Sequence, residues 1–514
     1  MMQKTKPKRQ PPGHLPRILL IACAALTLLM TLCAFPPLRA AEQARDRWMA
    51  IYLQDKRVGY VHMRTERRQQ EGQVRFETRI RQRFTVNRGR STIRFRIDQR
   101  VVEDPAGRVL SFRQNLRQGP IEQKMRGRRE DGKLIIVTGE QPDAVRQVVE
   151  APEVLGPRAA EEVARARGYQ PGTRYTLPVF MAEAPTQVVR ATVRVGEKEA
   201  KEMFEVTKWL HPVEITLSIL PKAKTVQWVD DRGRPWLTAT RIGPFRLELR
   251  RVSKSFALQP PEKAEVMLSI AITPDRPVPN PRGLDRLVLR LRPGEGGGPM
   301  PQLPSGPDQK VTKEGDALRV ELRRVTPDPQ KSYRLPCEKE GMDNYLQETP
   351  WLEIRDDRIK RMSREAISGR TDAVEAARAI ERYVAAELTE KTLGMGFATA
   401  AETARQKGGD CTEHAVLAAA LARAAGMPAR MVCGLVYGGP MPGDTQARFY
   451  YHMWTEIYAG EWLPVDPALG SHDPTHLAVV RSDLSHPDDV AEISAAVMGL
   501  PGGVRIEVLQ VGGE

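Results

Sequence analysis

Cysteine is scarce in this 514-residue chain: five residues, two of them within the first forty. So few thiols exclude a disulfide-dense scaffold. Acidic side chains are missing from residues 1–40, which carry six basic ones. Beyond residue 40 there is no long apolar run, so no later segment reads as a membrane-spanning helix. Repeats at solenoid spacing are absent. Hydrophobic residues are not in short supply at 41%, which excludes a wholly disordered chain. The length exceeds one ordinary core and predicts two to four domains.

The amino terminus has a basic segment (Lys4, Lys6, Lys8, Arg9, Arg17), an uncharged run over Ile18–Phe35 and a small-residue exit ending Arg39-Ala40-Ala41. This order is that of an export signal. The apolar run suits either a signal peptide cleaved after Ala40 or a retained membrane anchor over residues 18–35. Both outcomes put residues 41–514 outside the cytoplasm, in a periplasmic or other extracytoplasmic space.

Charge divides the remainder. Residues 41–260 sum to +16 and residues 261–514 to −7. The basic part, 43–258, predicts a β-rich domain. Ile93, Phe95 and Ile97 alternate with Arg94 and Arg96, the period of a half-buried strand. Asn87–Arg90 separates this run from Ile80–Phe84 as a hairpin turn. Pro157 and Gly168 bracket one short helix. The arginine-rich wet face keeps strand edges soluble, or meets an acidic envelope polymer or anionic lipid. Nucleic acid is not expected of an exported chain without a binding motif. Residues 262–335 predict a small β module with strands at Leu284–Leu291 and Leu318–Val325. A Gly/Pro loop, Arg292–Asp308, joins them. Helical periodicity begins near Asp357; a second helix follows, capped by Thr371, and a third starts near Thr399. Residues 501–514 read as a tail.

The chemistry lies in Lys407-Gly408-Gly409-Asp410-Cys411-Thr412-Glu413-His414. Asp410 and Glu413 have the spacing of a capping box, so a helix should start at Cys411 and end before Gly426 and Pro428. The first turn of a helix favours a thiolate, the nucleophilic form. Asp410 and Glu413 oppose that effect, so a base is needed. Phe449–Ile457 reads as a strand carrying His452, and Glu461–Asp466 as its hairpin partner. A three-residue loop with Gly460 in the third position pairs Ile457 with Glu461 and sets His452 opposite Asp466. A carboxylate beside an imidazole fixes its tautomer and stabilises the imidazolium. A two-residue turn would shift the register by one and separate the two side chains.

Cysteine at a helix start, histidine on a strand and an acid on the next strand resemble the transglutaminase-like superfamily. The segments GGDCTEHAVLAAALARAAGMPAR and YYHMWTEIYAGEWLPVDPALG carry the resemblance, over roughly residues 340–500. It implies an α+β, papain-like catalytic domain, so that with the β-rich modules read above the chain is expected to be multidomain. It further implies Cys411 as nucleophile, His452 as general base and then acid, and Asp466 as orienting carboxylate, acting on a protein or peptide. The local papain signature and an EF-hand calcium loop are both absent. No cofactor or resident metal is implied, and the oligomeric state is left open.

Other readings compete. Cys411-x-x-His414 with His452 and Asp466 offers zinc-like donors. Trp454 and Gln406 are weak candidates for a second oxyanion donor. Trp454 and Trp462 are expected to wall the cleft. His472, His476 and His486 read as solvated residues of a polar stretch. Cys337 and Cys433 either pair in an oxidising compartment or pack as free thiols. Hydrolysis is favoured slightly over amine cross-linking. The alternative from another class is a non-catalytic envelope scaffold.

Overall fold

The computed structural model describes residues 44–512 apart from 71, 89–90, 119–120, 140–143, 205, 243–244, 266–270, 295–299, 390–397, 441–443, 487–488, 490–492, 494–495, 498–499 and 501–502. The amino-terminal signal or anchor, the tip of the Asn87–Arg90 turn and the middle of the Arg292–Asp308 loop lie outside the described residues. Two compact units emerge. One is built from residues up to Val86 with Thr92–Ala264, the other from Glu265 onward with Asn87–Ser91.

Among its described residues the first unit has one antiparallel sheet, one longer helix and a single helical turn at Lys254–Ala257. Its strands are β1 (Ala44–Leu53), β2 (Lys56–Gln70), β3 (Gln73–Arg88), β4 (Ser91–Glu103), β5 (Val109–Gln118), β6 (Ile121–Glu130), β7 (Lys133–Thr138) and β8 (Val145–Glu150). After helix α1 (Pro157–Arg167) come β9 (Arg174–Val179), β10 (Val189–Val195), β11 (Glu199–Met203), β12 (Val206–Leu217), β13 (Leu220–Val229), β14 (Pro235–Ile242) and β15 (Phe245–Arg251). The 15 strands run in the order β8 back to β1, then β15-β14-β13-β12-β10-β9, with β11 beside β12. Period-2 patterning drives this arrangement. On β4, Ile93, Phe95 and Ile97 are buried while Arg94 and Arg96 stay exposed. On β10, Val189, Ala191, Val193 and Val195 bury every second position against Leu177, Val213 and Ile215. Gly156 caps α1, and Gly168, with φ of 77°, ends it.

The second unit holds two four-stranded sheets and four longer helices. β16 (Arg286–Pro293), β17 (Gln309–Glu314) and β18 (Ala317–Arg323) are joined by β23 (Val504–Val511), in the order β17-β18-β16-β23. Residues expected as a tail therefore supply an edge strand: Val504, Ile506 and Val508 alternate inward. The small module expected at 262–335 belongs to this unit. The other sheet has the order β21-β20-β19-β22, from β19 (Ala429–Gly438), β20 (Arg448–Tyr458), β21 (Trp462–Val465) and β22 (His476–Ser482). Gln309 ties the two sheets together, donating from Nε2 to Ala478 O at 2.9 Å and accepting from Ala478 N at 2.8 Å.

Helices α2 (Asp357–Ile367), α3 (Ala373–Glu387), α4 (Ala400–Gln406) and α5 (Cys411–Ala424) pack together, with α5 and α3 against the second sheet and α2 and α4 against α5. Asp372, not Thr371, caps α3, because its carboxylate accepts from Glu375 N at 3.0 Å. α5 is buried from Thr412 to Arg423. That explains why its sequence has no polar stripe: a helix surrounded by protein is apolar all round.

Candidate active site

Four elements converge at the start of α5. The helix begins where the capping box demands, since Asp410 Oδ1 accepts from Thr412 N at 2.8 Å and Glu413 Oε2 from Asp410 N at 2.9 Å. Gly409 is required for this turn: a Cβ there would sit 2.3 Å from the Glu413 Cβ. Glu413 is fully buried, and burial with the neighbouring Asp410 charge holds its carboxyl well above the usual range. The cap thus adds less negative charge beside Cys411 than two ionised carboxylates would. Cys411 is half-buried.

His452 lies on β20, the strand between β21 and β19. Its Nε2 donates to Asp466 Oδ2 at 2.7 Å, and Cys411 lies close enough to the same ring to raise its pKa. With Nε2 engaged by the carboxylate, Nδ1 is the nitrogen left for sulfur. Burial disfavours the imidazolium, but Asp466 and Cys411 outweigh it, and the pKa is pushed up to about 9. Asp466 is fully buried and nonetheless held well below the ordinary carboxylate range: burial raises it, while His452 and His476 more than reverse that. Its Oδ1 accepts from Ala468 N at 3.0 Å and Leu469 N at 3.3 Å. Glu381 of α3 takes the Asp466 N–H at 2.8 Å, so both ends of the residue are fixed.

The hairpin reaches this geometry by another register than expected. Tyr458 faces Trp462 and Ile457 faces Leu463, so the three-residue loop is Ala459-Gly460-Glu461. Moving the loop by one residue changes the pairing by two, and side-chain parity survives. Asp466 lies just past the end of β21, where the chain is free of the ladder and turns its carboxylate onto His452. Gly460, with φ of 95°, has the Lys331 carbonyl 2.0 Å from where a Cβ would stand.

His476 is the residue that the sequence reading missed. It is buried at the start of β22, and its Nε2 donates to the same Asp466 Oδ2 at 3.0 Å. Its Nδ1 faces Asp473 O at 2.9 Å. Burial lowers its basicity, yet Asp466 and Asp473 push it up to about 9. Asp473 in turn accepts from Arg282 Nη1 at 2.6 Å. Gly434, opposite His452 on β19, permits this approach, because a Cβ there would meet Leu477 O at 2.0 Å. The β19–β22 register shifts between Cys433 and Gly434. Bulges of this kind re-aim side chains beside sites. The result is a row of alternating charge from His452 through Asp466, His476 and Asp473 to Arg282.

Several expectations are corrected. His472 and His476 are buried, not solvated; of the three, only His486 is exposed. Burial holds His472 well below its usual pKa, so it stays neutral beside His476. Cys337 and Cys433 are free thiols, and burial in the middle of β19 pushes Cys433 up to about 12. Trp454 is fully buried and cannot reach a substrate oxygen; it stacks on His452 at 6.1 Å. Gln406 ends α4 exposed. Trp462 packs against Arg430 and Tyr345 at the hairpin end. His414 Nδ1 is engaged with Asp410 O at 2.7 Å, so Cys411-x-x-His414 does not converge as a ligand pair. Among the described residues, His452, Asp466 and His476 bring donor atoms within 4.8 Å of one another. Those atoms are spent on the two hydrogen bonds just described, and a cation would have to replace both.

One family model agrees with the local reading. Residues 360–467 match the family model of the transglutaminase-like superfamily. No curated protein matches the chain. A solved beta-barrel-like protein of a domain of unknown function from Brucella abortus is similar at 18% identity, covering 41% of this chain and 96% of its own, with a TM-score of 0.31. A provisionally named cysteine protease from Cytophaga hutchinsonii is similar at 12% identity, covering 45% and 86%, with a TM-score of 0.27. Both scores are too low to fix the fold. Capping box, strand histidine and buried carboxylate all fall within the matched segment, and residues 360–467 are a transglutaminase-like domain.

Proposed function

We propose that the chain is an exported cysteine enzyme that cleaves amide bonds of a protein or peptide through a thioester. A multidomain organisation with a papain-like catalytic domain fits this reading. One observation carries it: a buried imidazole held between the Cys411 thiol and the Asp466 carboxylate, with its pKa pushed up to about 9.

The Cys411 thiol passes its proton to His452, and the sulfur attacks the substrate carbonyl carbon. The C–N bond breaks as His452 returns that proton to the departing amine. Water then attacks the thioester with His452 as base; the C–S bond breaks, leaving a carboxylic acid and the free thiol. Asp466 keeps the ring oriented and stabilises the imidazolium through both steps without taking a proton itself. The developing oxyanion needs donors. The cap occupies the N–H groups of Thr412 and Glu413, so the Cys411 N–H stays available for this role.

A peptide library incubated with and without a primary amine, and read by mass spectrometry, tests the proposal. Gain of water at cleaved bonds that disappears in Cys411→Ala is the expected result. Amine incorporation without hydrolysis would instead make the enzyme a cross-linking transferase. Product formed equally by Cys411→Ala would overturn the thioester mechanism, and no product from wild type would leave a scaffold.

A further inference from the structure

The first unit carries a charge arrangement that the proposed catalysis does not use. On the wet face of its sheet, Arg100 of β4 lies directly opposite Arg113 of β5, and Arg113 directly opposite Arg126 of β6. Like charges facing each other across strands destabilise a sheet. At one end of this row the repulsion is relieved, because the Glu77 carboxylate bonds Arg79 at 2.5 Å and Arg100 at 2.6 Å. Arg113 and Arg126 have no carboxylate partner among the described residues, and both are exposed. The same residues, with Arg81 and Lys124, line a trough of about 810 Å³ whose only described acidic side chain is Asp98.

We propose that this trough binds a single extended polyanion, a polymer with a carboxylate or phosphate on each repeat. The row roots its arginines on neighbouring strands, one strand spacing of about 4.8 Å apart. Five of the six cationic side chains in the lining are arginines, whose planar fork pairs with carboxylate or phosphate oxygens through two hydrogen bonds. A membrane surface fits less well, because the site is concave and none of the exposed large apolar residues lines it. Among the described residues no aromatic lines it either, so these offer no platform for stacking the bases of single-stranded nucleic acid.

The test titrates the full chain with fluorescent oligogalacturonate, inorganic polyphosphate, single-stranded DNA and anionic vesicles, at low and raised salt. Arg113→Gln/Arg126→Gln is compared with Arg190→Gln/Arg194→Gln, which removes equal charge from β10. Both flexible polyanions should bind with affinity that falls steeply with salt. The trough double variant should bind them about tenfold or more weakly, the charge of two contacts being lost, and the β10 variant like wild type. The trough variant should also melt slightly higher, since it is relieved of facing charges; a fold damaged by the substitutions would melt lower. Equal weakening in both double variants would reduce the effect to net charge and overturn the proposal. So would vesicles or DNA being the only probes that depend on Arg113 and Arg126.

Discussion

Glu103 and Asp466 are both fully buried carboxyls, and each accepts two backbone N–H groups: Glu103 from Arg158 and Ala159 at the start of α1, Asp466 from Ala468 and Leu469. Their charge states diverge. Burial pushes Glu103 up to about 7 despite its backbone bonds and Arg158, whose Nε is 3.8 Å away. Asp466 is held well below the ordinary range. The difference is the pair of imidazoles that bond one Asp466 oxygen at 2.7 and 3.0 Å. Backbone donors and a guanidinium 3.8 Å away do not keep a buried carboxyl ionised here; two directly hydrogen-bonded imidazoles do. The second unit spends two histidines to hold a charge where the first unit lets its carboxyl become neutral.

The sharpest way to break this contrast is Asp466→Asn. The amide keeps the shape but loses the charge that holds both rings, and turnover of any substrate found by the peptide screen should fall by about 10³–10⁴-fold, the scale seen when a triad acid becomes an amide. Unchanged turnover would remove Asp466 from the account. On the other side of the comparison, Glu103 predicts a pH effect on stability. Its folded pKa lies above its unfolded value, so its contribution is fully present below about pH 4.5 and is lost as pH rises through about 7. The loss is about 3 kcal/mol, at 1.36 kcal/mol per unit. Denaturant unfolding at pH 4.5 and 7.5 should register it, with a shallower dependence in Glu103→Gln.

His476 should have a smaller effect and act by positioning. His476→Ala should slow alkylation of Cys411 about 10- to 100-fold near pH 6, the worth of one hydrogen bond to a charged group. His476→Gln, whose amide can still donate to Asp466, should restore most of that rate. The raised pKa of His476 means that its stabilisation is complete below about pH 6.5 and lost as pH climbs through about 9. His476→Gln should therefore show a smaller alkaline fall than wild type, the part due to His452 remaining, whereas a residue that merely packs would leave the fall intact. The smallest effect belongs to Cys433, whose buried thiol should remain unlabelled in the native protein at neutral pH.

Local signals carried much of the site. Asp410 and Glu413 announced the helix that presents Cys411, and the alternation around His452 announced its strand. The hairpin register was wrong by two, yet the pairing of side chains held, because period-2 geometry tolerates even slips and no odd ones. His476 escaped because Ser471-His472-Asp473 reads as polar. The signal was on its other side: Leu477–Val480 is a short apolar run, and a histidine opening such a run enters a buried sheet. Gly434, which lets β22 approach, has meaning only once the strand order is known. The final strand β23 was misread as tail because its partner β16 lies about two hundred residues earlier in sequence, a separation that no local pattern reports.

The central claim is that Cys411 and His452 form an ion pair that Asp466 sustains. Its most direct test is the pH dependence of iodoacetamide labelling at each cysteine, read by mass spectrometry, in wild type and His452→Ala. The account predicts that Cys411 alone labels fast, as a thiol activated by a neighbouring base does, and that His452→Ala abolishes this advantage. Cys411 labelling at the same rate in both proteins, or no faster than Cys337, would contradict it.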